Sequence, residues 1–225
     1  DVHMSRGLGD VYKRQATYYR GGTSKGVFFQ KKDLPTFDQN KLNELFLKVI
    51  GSPDTNQRQL NGMGGGVSSV SKCVIISPSE RDDADIDYNF IQIAIDKPIA
   101  EWKNNCGYLS GAVGPYAVQE GIIKPKEGEN LVRIYQVNTD KIIHSTFQVK
   151  DGKPLIEGDY SIAGVHGAGS KVRLDYIEPG GSGTGKLLPT GNVIDEIEIK
   201  DYGKIKVSIV DAATPLVYLL AEDIG

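Results

Sequence analysis

Lys72 and Cys106 are the two side chains in this sequence best suited to moving a proton. Lys72 closes the run Gly62-Met63-Gly64-Gly65-Gly66-Val67-Ser68-Ser69-Val70-Ser71 and leads into the apolar stretch Cys73-Val74-Ile75-Ile76. Successive backbone N–H groups of Gly and Ser form a concave nest for an anion. A lysine passing from such a nest into an apolar interior loses water, which lowers its pKa and lets the neutral amine act as a base. By residue type alone Lys72 would be a surface lysine at a strand edge; the loop before it raises the alternative. Cys106, one of only 2 cysteines, opens the small-residue run Asn105-Cys106-Gly107-Tyr108-Leu109-Ser110-Gly111-Ala112-Val113-Gly114. A sulfur at a helix start lies among unpaired N–H groups that stabilise negative charge and attract carboxylates, although a cysteine in an apolar helix is more often a small core residue. A third glycine turn, Arg20-Gly21-Gly22-Thr23-Ser24-Lys25-Gly26, has cations at both ends. Together these features describe a site that holds a small anionic acid and shifts a proton on it.

The elements needed to position those residues can be read from periodicity. Residues 16–29 give two strands about Gly21-Gly22. Leu42, Leu45, Phe46, Val49 and Ile50 recur at helical spacing and stop at Gly51, a C-cap residue. Strands are expected at 73–76 and 85–95. The Cys106 helix is apolar nearly all round, as a helix buried at a domain centre is. Residues 131–135 and 142–147 form strands joined by Asn138-Thr139-Asp140. The Pro179–Gly185 segment reads as a flexible connection, and strands are expected at 193–199, 205–209 and 215–220. Two units follow: an N-terminal domain over 16–186, and over 187–225 the start of a second domain that is cut off. Residues 1–15 are set apart as non-native, because Asp10-Val11-Tyr12-Lys13-Arg14-Gln15 resembles the translation of a sequencing adapter.

Composition narrows the function. Lys plus Arg total 26 against 29 Asp plus Glu, a net charge of −3, with no basic run to mark a nucleic-acid surface. Two cysteines cannot build a disulfide framework, so a cytoplasmic protein is expected. No apolar stretch is long enough to span a membrane. Gly180, Gly185 and Lys186 match the spacing of a phosphate loop, but Leu187 stands where a magnesium-binding hydroxyl is needed. Position 67 is valine, so the glycine run is not a dinucleotide fingerprint. His3, His144 and His166 have no partner at ligand spacing, and neither a metal site nor a Ser-His-Asp triad is expected.

Several stretches carry a family likeness: residues 17–29, Val49-Ile50-Gly51-Ser52-Pro53-Asp54, the loop into Lys72, Ile95-Asp96-Lys97-Pro98, Asn105-Cys106-Gly107 and Pro189-Thr190-Gly191-Asn192. In this order and spacing they resemble the PrpF family of 2-methylaconitate cis–trans isomerases, over residues 16–225. The resemblance implies an α/β (α+β), diaminopimelate-epimerase-like fold: a curved, mostly antiparallel sheet wrapped around a central helix, with a second similar domain facing it across the active-site cleft. It implies a cofactor-independent isomerase of an unsaturated tricarboxylate, acting in propionate breakdown by the 2-methylcitrate route, with no metal and with a homodimer as the expected assembly. Lys72 and Cys106 correspond to the family's catalytic pair. Gly64, Gly65, Gly66, Val67, Ser68, Ser69, Asn105 and Gly107 would grip substrate carboxylates, with Arg20, Ser24 and Lys25 nearby. Without the second half, the chain alone would be inactive.

Two departures bear on which acid is taken. Asn61-Gly62-Met63-Gly64-Gly65-Gly66-Val67 stands where the family commonly has Asp-Gly-Met-Gly-Gly-Ala-Thr, and Cys106-Gly107-Tyr108-Leu109-Ser110 where it has Cys-Gly-Asn-Leu-Thr. Related reactions stay open: tautomerisation of 4-oxalomesaconate and Δ-isomerisation of 3-methylitaconate. So does a non-catalytic carboxylate-binding protein.

Overall fold

The computed structural model describes residues 15–35 and 37–225. The tail set apart above, His3 included, falls outside them except for Gln15. Strands β1 (Thr17–Gly21) and β2 (Ser24–Gln30) form an antiparallel hairpin whose two-residue turn places Gly22 at φ 52°. Helix α1 (Gln39–Ile50) then crosses over, so β3 (Lys72–Pro78) returns parallel to β2, the connection that parallel strands require. The helix begins earlier than its apolar spacing suggests, because Asp38 caps it by accepting from the Lys41 N–H. It ends where expected, at Gly51 in the left-handed conformation (φ 85°).

The sheet continues through β4 (Ile86–Ile93), antiparallel to β3, with the short β5 (Ala100–Glu101) on its flank. β6 (Gly128–Gln136) lies parallel to β4 and antiparallel to β7 (Lys141–Lys150), on which β8 (Lys153–Pro154) and β9 (Arg173–Ile177) also pair. Only β2–β3 and β4–β6 are parallel among these pairings.

Helix α2 (Gly107–Gln119) lies in the hollow of this sheet, touching strands from β1 and β2 at one end to β7, β8 and β9 at the other. One core joins Leu109, Val113 and Tyr116 of α2 to Phe28, Val74, Ile76, Ile86, Tyr88, Phe90, Val132 and Ile134. A second, on the opposite face, joins Leu42, Phe46 and Ile50 of α1 to Val27, Phe29, Cys73, Ile75, Ile91 and Ile93. β2 and β3 are therefore covered on both sides, which is why they read as unbroken apolar runs. Close packing of helix on sheet depends on Gly114: a Cβ there would sit 2.7 Å from Ser145 Oγ and 2.8 Å from the Phe147 ring.

The expected fold class is what the structure shows, a curled sheet around a central helix. A separate antiparallel sheet, β10 (Asp195–Ile199), β11 (Gly203–Asp211) and β12 (Pro215–Leu219), supplies the three expected C-terminal strands. The glycine-rich segment before it is tied to this sheet, with Gly181 N–H donating to the Asp211 carbonyl at 2.9 Å. The loop closes on the carboxylate of Asp211, which accepts from Ser182 Oγ (2.7 Å), the N–H groups of Gly183 (2.8 Å) and Thr184 (2.7 Å), and Thr184 Oγ1 (2.9 Å). An anion nest is present here, and the chain's own aspartate fills it.

Candidate active site

Alternation along the strands determines which side chains meet. Val74 and Ile76 of β3, like Tyr88 and Phe90 of β4, face α2, so Lys72 and Gln92 face it too, each at the end of its strand. Lys72 and Gln92 are cross-strand partners. On β2, Phe28 faces α2, which puts Gly26 and Ser24 on the same side. α2 starts against this rim, with Cys106 as its N-cap residue. Gly26 lets the parts approach: a Cβ there would lie 2.9 Å from the Lys72 carbonyl oxygen and 3.2 Å from Leu109 Cδ2. Gly21 does the same for the hairpin, where a Cβ would fall 2.3 Å from the Tyr108 carbonyl oxygen.

Lys72 is only 6% exposed. Its amine lies 5.2 Å from the centre of the Phe90 ring and donates to Gln92 Oε1. Burial strips water from the ammonium and lowers its pKa below the ordinary lysine value, while the charge of Cys106 pushes it back up. Cys106, half-buried, donates from Sγ to Ser24 Oγ at 3.5 Å. The lysine nitrogen and the sulfur thus act on one another at the mouth of α2. Behind the sulfur, the Ser110 hydroxyl lies 3.0 Å from Asn105 Oδ1 and 2.9 Å from the Cys106 carbonyl oxygen. The Tyr176 hydroxyl approaches Gly107, Ser110 and Asn105, the buried Tyr88 hydroxyl approaches Ser110, and burial raises the pKa of both phenols.

Two glutamines missed by the sequence reading hold the glycine loop in place. Gln92 Nε2 donates to the carbonyl oxygens of Ser71 (2.9 Å) and Ser68 (3.1 Å). Gln59, 1% exposed, accepts from the Gly66 N–H (2.9 Å) and Ser71 Oγ (2.7 Å), and donates to Ser52 Oγ (2.8 Å). Neither stands in a motif; only register and loop closure bring them here.

The expected site residues separate into three groups. Lys72, Ser24, Cys106, Asn105 and Gly107 converge at the rim. In the loop, the N–H groups of Gly64 and Gly66 are not available to a ligand, because they donate to the Ile50 carbonyl (3.0 Å) and to Gln59. The amides of Gly65, Val67, Ser68 and Ser69 have no such partner among the described residues. Arg20 and Lys25 are not brought to the rim: they pair across β1 and β2 on the opposite, exposed face, and Arg20 Nε donates to the Gly22 carbonyl (2.8 Å). Two surface cavities, of ≈ 250 and ≈ 240 Å³, lie elsewhere, one beside Glu157 and Arg173 and the other beside Phe37 and Trp102. No group of three or more His, Cys, Asp or Glu residues that could hold a metal occurs among the described residues. No described helix is long and apolar enough to cross a membrane.

The chain is similar in sequence and fold to known proteins. The family model described as PrpF protein matches residues 11–225. The chain belongs to the PrpF family. A putative isomerase, YraM, of Bacillus subtilis is 44% identical over 96% of the chain and 58% of its own length. A 2-methyl-aconitate isomerase of Cupriavidus necator is 42% identical over 95% of the chain and 56% of its own. A 3-methylitaconate isomerase of Eubacterium barkeri is 39% identical over 97% and 56%. This PrpF-family chain thus spans a little more than half the length of the curated relatives it matches. Among solved structures, a methylitaconate-delta-isomerase superposes with a TM-score of 0.78 at 40% identity, covering 94% of this chain and 54% of the other. A probable proline racemase of Agrobacterium radiobacter, 17% identical with a TM-score of 0.53 over 95% of this chain and 53% of the other, shares the epimerase-type fold.

Proposed function

We propose that this chain carries the proton-transferring half of a cofactor-independent isomerase acting on an unsaturated tricarboxylate, with 2-methylaconitate as the substrate and cis–trans isomerisation as the reaction. One observation carries the reading: a largely buried lysine, its pKa lowered by burial, lies within electrostatic reach of a cysteine sulfur at the start of a buried helix. The neutral amine of Lys72 removes a proton from a carbon conjugated with the substrate's double bond. The electron pair spreads over that double bond and its carboxylates, so the former C=C can rotate. Lys72 then returns the proton to the same carbon, and the enzyme ends as it began. The amides of Gly65, Val67, Ser68 and Ser69 and the first turn of α2 are placed to stabilise the negative charge as it develops, an effect that reaches about 3 kcal/mol per donor in other enzymes. Cys106 holds a substrate carboxylate or assists the proton's passage. The named activities of the relatives support this substrate class, and a place in propionate breakdown by the 2-methylcitrate route belongs to the proposal.

The test is solvent exchange followed by NMR in deuterated water, with 2-methylaconitate, 3-methylitaconate and 4-oxalomesaconate offered to the full-length protein and to its Lys72→Ala variant. Isomerisation with deuterium incorporation, abolished in the variant, is the expected result; the acid turned over fastest identifies the reaction. Binding of these acids without exchange would make the protein a carboxylate-binding module instead. Unimpaired turnover by the variant would remove Lys72 from the mechanism.

A further inference from the structure

We infer that Gln92 is the positioning residue for the Lys72 base, fixing both where the amine points and how readily it gives up its proton. The inference rests on the proposed role of Lys72 but is carried by separate geometry. An amide side chain has one acceptor end and one donor end. The donor end of Gln92 is committed to backbone carbonyl oxygens, those of Ser71 (2.9 Å) and Ser68 (3.1 Å) and, more distantly, Ile93 (3.4 Å). With Nε2 held there, the acceptor end, Oε1, is left for the Lys72 amine, from which it accepts. The two residues are directly opposed across β3 and β4, so the contact is set by sheet register rather than by a flexible loop. The same amide ties the lysine to the serine turn whose N–H groups the proposed substrate would meet.

Among the described residues, the sheet brings no charged side chain to this side to compete with Gln92 for the amine. Phe90 supplies a ring face beneath the nitrogen. On this side β2 brings the uncharged Ser24 and Gly26, the serine turn brings Ser68 and Ser69, and α2 brings Cys106, the titratable group whose charge reaches the amine. A neutral acceptor at Gln92 orients the nitrogen without supplying a full negative charge. A carboxylate in its place would hold the ammonium form and suppress the base. Glutamine therefore meets both requirements, and glutamate, of nearly the same shape, would meet only the first.

Two variants of the full-length protein test this. Gln92→Met removes the acceptor, and kcat should fall about 100-fold, the order expected when a catalytic group is displaced by about 1 Å. Gln92→Glu should move the rising, acidic limb of kcat/KM, which reports loss of the Lys72 proton, upward by about one to three pH units. Competitive labelling of amines with acetic anhydride, read at Lys72 by mass spectrometry across pH, should show the same upward move without any substrate. The labelling requires only that Gln92→Glu fold, and position 92 is half-buried. An unmoved Lys72 labelling midpoint in Gln92→Glu, or an undiminished kcat in Gln92→Met, would overturn the inference. If Lys72→Ala keeps full turnover while Gln92→Glu still moves the midpoint, the isomerase mechanism falls and the link between the two residues stands.

Discussion

Replacing Gln59 by Met should loosen the glycine loop from beneath, although the residue touches no proposed substrate. The two side chains are similar in length, so little space is opened and the loss is one of hydrogen bonds. Gln59 makes three, to Gly66 N, Ser71 Oγ and Ser52 Oγ, in a place where it is 1% exposed. At about 1 kcal/mol net for each buried bond, the sum is about 3 kcal/mol. The Ser71 hydroxyl keeps an acceptor in the Val67 carbonyl at 2.8 Å, which reduces the expected loss to about 2–3 kcal/mol. Gly64 cannot compensate by moving in, because its Cα hydrogen already faces Gln59: a Cβ there would lie 2.2 Å from Oε1. The assay is native-state hydrogen exchange. At about 1.4 kcal/mol per factor of ten, protection of the Gly66 amide should fall roughly 30- to 150-fold, while amides in β6 and β7 stay unchanged. Equal Gly66 protection in wild type and variant would refute the argument that this glutamine holds the loop.

Three further outcomes follow from the same geometry. Iodoacetamide should label Cys106 and spare Cys73 in the native protein, because Cys73 is fully buried between β3 and α1 and burial pushes its thiol pKa up; equal labelling would contradict the two-sided cover of β3. Asp211→Ala should destabilise the β10–β12 region by about 3 kcal/mol, since it strands the donors of Ser182, Gly183 and Thr184, and chemical denaturation with local exchange readout would measure it. Hydrogen bonds from Ser182, Gly183 and Thr184 depress the Asp211 carboxyl to about 2 against the cost of its burial, so this stabilisation is present above the usual aspartate range and is lost as pH falls through about 2; acid unfolding of that region should shift upward in the variant only to the extent that other carboxylates allow. A mid-acid transition that Asp211→Ala leaves untouched in size and position would show that the nest contributes little.

The sequence was most informative where one residue type admits few readings. The Gly51 stop of α1, the two-face apolar runs of β2 and β3, and the buried small-residue helix behind Cys106 could each be read from local pattern, because each reflects a requirement met within a few residues. Lys72 and Cys106 could be singled out as candidates for the same reason: their loop and their helix start are contiguous in the chain. Alternation could have excluded Lys25, since Ser24 faces the helix and the next residue must face away, but that parity becomes usable only once the hairpin register is known.

Gln92 and Gln59 could not have been found this way. A glutamine is ordinary anywhere, and what makes these two important is a cross-strand pairing 20 residues apart and a loop closure that buries an amide. The phosphate-loop spacing around Gly185, set aside because Leu187 lacks the needed hydroxyl, does form a nest, and the Asp211 carboxylate occupies it. The sequence by itself thus determined which groups are candidates for the chemistry and which elements carry them. Tertiary structure alone decided which donors remain free and which acceptor faces the lysine, because hydrogen bonds are short and directional and their partners are chosen by strand register, not by neighbours along the chain.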